Sequence, residues 1–388
     1  MTLLLLLGTV LAADAVVARV NDEVLTAAEV RAGLARARAA GGEARVERVV
    51  EELIDARLLS REGTRRGLAR DPVVAAAVES ERRRLAAEHL VETEVASVVR
   101  VDDAQLRELY HAGTDTARFD LIVLGTDENA RAALGRLRGG ADVAAEARSS
   151  YDVDSKARGG DSGTRARGQL EPALADEAFR APVGAWVGPI PLALGFAVLR
   201  VRERTAGDEA GFAARREELR RFADAQARTQ ARRHVVSELR RRAGVTVDEA
   251  FLRSTGKRLE VPPADVERAV ATVGDRAVRY RDVVTEIRRI FGAAGGHASG
   301  PTVKLEIAWA LADRLVLEQA ALARGAADAP EVRAALRAWT RDALARALAA
   351  RLRSQGGDEA IRREIARLRK GARISIDRAA AQRAAAEP

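Results

Sequence analysis

The chain has 388 residues, enough for two or three domains, and carries 65 basic against 57 acidic side chains for a formal net charge of +8. It has no cysteine, which excludes disulfides, thiolate catalysis and cysteine zinc sites, and its four histidines lie without paired spacing, so no metal site is expected. Aromatics are only 3% of the chain, so the rings that stack on nucleic-acid bases are scarce, and the basic excess is modest over this length.

Taken in chain order, residues 3–12 form an apolar run ending in the small residues Ala12, Ala13 and Ala15. That is the pattern of a secretory signal peptide, here without a preceding Lys or Arg, and it is too short to span a bilayer comfortably. Residues 1–15 are therefore expected to be a leader and the chain to be exported. Val17–Val20 and Val24–Thr26 then flank Asn21-Asp22, which predicts a strand, a tight turn and a second strand before a helix near Ala28. Val46, Val49, Val50 and Leu53 recur at i, i+3, i+4 and i+7, the spacing of an amphipathic helix. Gly67 stands where a helix end takes positive φ, and Asp71-Pro72 caps and opens the next helix.

Residues 117–204 change character. An apolar strand, Leu121-Ile122-Val123-Leu124, leads into a helical stretch around 128–138. There follow Gly139-Gly140, Ser150-Tyr151-Asp152, the glycine turn 159–163, Gly168-Gln169-Leu170-Glu171-Pro172, Ala178-Phe179 and Pro189. The stretch closes on the strand Gly195-Phe196-Ala197-Val198-Leu199-Arg200-Val201. A helix over 211–242 comes next.

The opening segment then returns. Val270–Val273 and its Gly274-Asp275 turn echo Val17–Val20 and Asn21-Asp22. Leu311, Asp313, Leu317, Gly325 and Pro330 echo Leu53, Asp55, Leu59, Gly67 and Pro72, and 368–377 echoes 239–248. The first copy spans 17–248 and the second 270–377, shorter by the length of the αβ stretch with its linkers. The expectation is a helical lobe built twice, with the αβ module inserted only in the first copy.

The order and spacing of 117–204 closely resemble the parvulin (PpiC-type) peptidyl-prolyl cis-trans isomerase domain. The whole layout resembles the exported chaperones of the SurA, PpiD and PrsA group, in which segments on both sides of the isomerase combine into one helical lobe. The fold class implied is α+β and mainly α-helical, with two SurA-N-like lobes and a parvulin domain inserted in the first. Residues 16–112 and 206–256 would make the first lobe, 113–205 the parvulin domain, 257–378 the second lobe, and 379–388 a disordered tail.

By this resemblance the family's first-strand histidine falls at Asp120 and its last-strand histidine at Ala197. The position often held by Cys or Asp falls at Asp152, or at Val153 if the match slips by one. The pocket residues would be Leu170, Leu174 and the aromatic Phe179, although any αβ module would bury the same three. Asp120 and Asp152 would be solvated or hydrogen-bonded replacements, or a carboxylate pair of raised pKa.

The implied function is a periplasmic or cell-envelope chaperone for unfolded or proline-containing polypeptides with a degenerate isomerase site, needing no cofactor. One alternative is an isomerase whose activity survives the substitutions, since lowering a peptide-bond barrier of ~18–20 kcal/mol needs a shaped pocket and no nucleophile. The other is a basic nucleic-acid or anionic-surface binder, whose binding would fall steeply with salt. A nucleic-acid partner is not expected, and the layout is compatible with a homo-oligomer.

Overall fold

In a computed structural model the described residues are 15–41, 45–292 and 300–386; the expected leader lies outside them, apart from Ala15. They begin with the expected hairpin, β1 (Val16–Val20) and β2 (Glu23–Thr26), turning through Asn21 at φ 57°, a left-handed conformation that asparagine tolerates. Thr26 and Glu29 form a capping box that starts α1 (Ala27–Ala39). Next come α2 (Val46–Arg65) and α3 (Pro72–Val98), separated by Gly67 at φ 77° and by Asp71, which accepts from the Val73 amide. Val17, Leu25, Val30, Leu34, Val50 and Ile54 close one core.

The chain divides into two compact units, one from the segment ending at Thr93 together with Val236 onward, the other Glu94–Val235. The second unit holds α4 (Asp103–Thr114), β3 (Thr116–Leu124), α5 (Asp127–Arg138), α6 (Val143–Ala147), α7 (Val153–Ala157), β4 (Asp161–Ala166), α8 (Pro172–Arg180), β5 (Trp186–Leu192) and β6 (Gly195–Thr205), with most of α9 (Glu209–Ala243). Its sheet is antiparallel in the order β4-β3-β6-β5. Side chains alternate across it. Phe119, Leu121 and Val123 pack with Leu174, Ala197 and Leu199 on one face, while Ile122 and Leu124 pack with Ala130, Leu134 and Val198 on the other.

Back in the first unit, β7 (Thr246–Val247), α10 (Glu249–Ser254) and α11 (Pro263–Val266) lead to a second hairpin of β8 (Ala269–Val273) and β9 (Arg276–Arg279). Then follow α12 (Tyr280–Phe291), α13 (Pro301–Ala323), α14 (Pro330–Lys370), β10 (Ile374–Ile376) and α15 (Arg378–Ala386). The repeat is structural as well as sequential: Gly325 repeats the left-handed Gly67 at φ 69°. Helix α14 breaks at Gly356-Gly357, and α3 ends at Val98, the position matching Gly356. The insert therefore enters where the second copy has only a two-glycine kink. The protein is thus mainly helical with an αβ domain set into it.

Two expectations are corrected here. The strand after the insert, β7, does not return to β1; it pairs with β8, while β10 at the end of the chain pairs with β1. Residues 206–256 thus supply a strand to the second hairpin and the C-terminal segment closes the first. The geometry is the same in both: Val247 lies opposite Ala271 as Ile376 lies opposite Ala18, and the amides of Asp248 and Asp377 donate to the carbonyls of Val270 and Val17. Arg240 pairs with Asp313 and Arg369 with Asp55, the same exchange in side chains. Local contacts fit each segment to its partner. Arg373 and Asn21 trade two hydrogen bonds, Asn21 N–H to the Arg373 carbonyl and Arg373 N–H to Asn21 Oδ1, the second of which the matching Gly274 has no side chain to provide. Thr246 bonds Thr272 through their hydroxyls.

Second, the expected disordered tail is α15, started by the Asp377 carboxylate on the Ala380 amide. Ala380, Ala381 and Ala384 are buried in the first core. A run of alanines looks featureless in sequence, yet alanine is the strongest helix former and is small enough to dock closely.

Candidate functional site

A cleft of about 330 Å³ opens on the β3 face that carries Phe119, Leu121 and Val123. That is near the lower end of the usual ~300–1,000 Å³ for ligand pockets. Leu170, Leu174 and Leu192 complete its apolar floor, and Tyr151 and Leu194 stand exposed at its mouth. Most of the polar lining is already engaged. Ser162 Oγ accepts from the Phe119 amide at 3.2 Å and donates to the Gly163 carbonyl at 2.7 Å. Asp152 caps α7 by accepting from the Ser155 amide at 2.8 Å. Arg165 pairs with Asp154 at 3.0 Å, and Glu171 accepts from the Ala193 amide at 3.0 Å, tying the β5–β6 turn to the start of α8. Among the described residues no imidazole lines the cleft, and no cluster of His, Asp or Glu is placed to hold a metal ion.

The structure brings Asp152, Leu170 and Leu174 to this cleft and leaves three expected residues out of it. Asp120 is fully buried on the opposite face of the sheet. There its Oδ2 accepts from Arg200 Nε and Nη2 at 2.9 and 2.6 Å, and its Oδ1 is paired with Arg202. The Arg200 guanidinium in turn lies 4.9 Å from the Trp186 ring centre, in the core formed with Ile122 and Val198. Asp120 is a structural anchor and forms no pair with Asp152. Ala197 is on the cleft side of the sheet, opposite Val123, but is fully buried beneath the floor. Phe179 packs on the edge of the same core, with Arg167 over its ring and Arg204 on its carbonyl, away from the cleft wall. Val153, the slipped alternative to Asp152, is exposed.

The first β3 residue on the cleft floor is Phe119, in line with Leu121 and Val123. The Leu-Ile-Val run points to Asp120, but the strand's register shifts at Arg118 and its side chains alternate. The signal was present: Phe119, Leu121 and Val123 are the continuous apolar set, and a charge at Asp120 belongs to the other face. Tyr151 and Leu194 had no comparable signal, because turns bring them to the cleft, and Ser162 reaches it from β4 at the edge of the sheet.

Nearby, the Arg118 guanidinium, with the Gly163 amide, holds the Asp161 carboxyl down at about 2 against the cost of its burial. This pair joins β3 to β4 beside the cleft.

A four-stranded antiparallel sheet flanked by short helices, with an apolar cleft against its central strand, defines an αβ module inserted between helices. Residues 101–217 match the PPIC-type PPIASE domain family, and this part of the chain is a PpiC-type peptidyl-prolyl isomerase domain. No curated relative matches the chain in sequence. Among solved structures it is similar to the parvulin domain of PpiD from E. coli, with 30% identity, 24% of this chain and 90% of that one covered, and a TM-score of 0.22. It is similar to the peptidylprolyl isomerase PrsA from Bacillus anthracis at 14% identity, covering 49% and 96%, with a TM-score of 0.30. A structure described under the SurA-like chaperones PEB4 and Cj1289 of Campylobacter jejuni matches at 17% identity, covering 59% and 98%, with a TM-score of 0.25.

Proposed function

We propose that the protein is a parvulin-type foldase-chaperone that binds unfolded, proline-containing polypeptides and has weak or no isomerase activity. The observation that carries this reading is the cleft lining: an apolar floor suited to a proline ring, with Phe119 where the strand meets Ser162 and no imidazole. Catalysis of amide rotation requires the twisted state to be bound better than the planar one. Here Ser162 is committed to backbone partners through its hydroxyl, and Asp152 is held as the cap of α7 through one carboxylate oxygen, which supports weak favouring of the twisted amide at most. An apolar floor grips the ring in either state, which supports binding with little acceleration.

The leader pattern at residues 3–15 supports export to the periplasm or cell envelope. No helix among the described residues is long and apolar enough to cross a membrane.

The test is a proline-peptide isomerisation assay on the full chain, run beside peptide binding and suppression of aggregation of an unrelated unfolded protein. Binding and suppression are expected, with isomerisation left near its unaided tens to hundreds of seconds. Turnover like that of a histidine-bearing parvulin refutes the degenerate site. Absence of both binding and suppression refutes the chaperone.

A further inference from the structure

The prolyl cleft does not stop at Leu170. The same leucine lines a second cavity of about 570 Å³, walled by Glu108, His111, Asp115, Arg167 and Asp176. Glu108 and Ala112 are shared in turn with a third cavity of about 340 Å³ that follows the groove between α4 and α9, floored by Val101, Leu109 and Ala223. All three lie in the same unit. The junction is tight because a Cβ on Gly168 would stand 2.9 Å from the Ala112 carbonyl oxygen, so the turn at 167–169 rests directly on α4.

We infer that these three cavities form one track for a single extended polypeptide, with a proline in the cleft and a basic, partly apolar stretch running along α4 and α9. The inference rests on the prolyl-cleft reading and adds the class of client. Two observations favour this occupant. Together the three cavities, joined by shared lining residues, exceed the ~300–1,000 Å³ of a small-ligand site. Its charge also opposes that of the protein: in a chain of net charge +8, the lining carries Asp152, Asp154, Glu171, Glu108, Asp115 and Asp176 against Arg165, Arg167 and Arg100. Arg165 is taken by Asp154, and Arg167 is divided between Asp176 and Asp115. Glu108, exposed at the middle of the track, has no ion-pair partner among the described residues. Acidic groups along an apolar groove select lysine or arginine spaced among apolar residues, and they repel acidic segments.

The experiment measures binding of labelled peptides to the full chain. A short peptide carries only the proline core. Longer peptides extend that core with alternating lysine and leucine on its N-terminal or its C-terminal side, and a matched set replaces lysine with glutamate. One of the two lysine peptides is expected to bind at least about tenfold tighter than the short one, with the gain lost in the glutamate set and reduced by added salt. Glu108→Lys is expected to weaken the long basic peptide about three- to fivefold, the scale of one exposed pair, and to leave the short peptide unchanged. Equal affinity of short and long peptides in both directions overturns the track alone. So does a Glu108→Lys effect that is the same on both lengths. Failure of the short peptide to bind overturns the cleft reading, and the track with it.

Discussion

Reversing the charge at Asp55 tests which segment closes which hairpin. In the structure Arg369, on the last turns of α14, donates to Asp55 at 2.6 Å and also pairs with Glu51 at 2.7 Å. Asp55→Arg removes a charge-assisted hydrogen bond worth about 1.5–3 kcal/mol. It also sets two guanidinium groups side by side, a repulsion of about 4 kcal/mol at contact for an effective dielectric near 20. The side chains are 27% and 32% exposed and Glu51 remains, so water and that carboxylate absorb part of the repulsion. The net loss is expected to be about 2–4 kcal/mol. Adding Arg369→Asp restores the pair in reverse and should recover all but about 1 kcal/mol. Adding Arg240→Asp instead leaves Asp55→Arg uncorrected and breaks the Arg240–Asp313 pair as well. The assay is equilibrium denaturation of the full chain followed by tryptophan fluorescence, since Trp309 lies 4.7 Å from the Arg240 guanidinium and Trp339 sits on α14. Rescue by Arg240→Asp and not by Arg369→Asp would refute the exchange.

Asp120→Asn should destabilise the αβ module by about 2–3 kcal/mol, because it strips the charge that pairs Arg200 and Arg202, while proline-peptide affinity stays unchanged. Phe119→Ala should abolish peptide binding by emptying the cleft floor and, because Phe119 is fully buried in the same core, should also cost about 3–5 kcal/mol; in calorimetric unfolding and peptide titration only the Asp120 variant is expected to lose stability with binding intact. Acid should weaken the fold in a defined window. Asp161, held at about 2 by Arg118, and Glu62, held at about 2 by Arg65 and Arg66, have folded pKa values below their unfolded ones, so their contribution is full above about pH 4.5 and is lost as pH falls towards 2. Arg118→Gln should return Asp161 to the ordinary carboxylate range and cost about 1 kcal/mol at pH 7 that is absent at pH 2, read from unfolding midpoints at both pH values.

Much of this architecture was legible before the structure. Asn21, Gly67, Gly274 and Gly325 mark turns because their backbones take positive φ, and the helices between them follow from apolar spacing. The duplication could be read because the repeated positions, such as Asp55 and Asp313, do the same structural job twice. Which copy each closing segment joins could not be read, because β7 and β10 offer the same pattern to hairpins that accept the same register. The cleft was half legible for a similar reason. Leu170 and Leu174 come from one motif, but the choice between Phe119 and Asp120 rests on side-chain alternation along β3, which groups Phe119 with Leu121 and Val123 and puts Asp120 on the other face.

Ala18 meets Ile376, so β1 must wait until β10 has been synthesised before its sheet is complete. The inserted sheet has no such delay, since all its strands fall within Thr116–Thr205 and can assemble while the rest is still being synthesised. The β1 edge of the amino-terminal hairpin therefore remains open until β10 has been made, and the polypeptide passes through a long stage in which it resembles the unfolded chains it is proposed to bind.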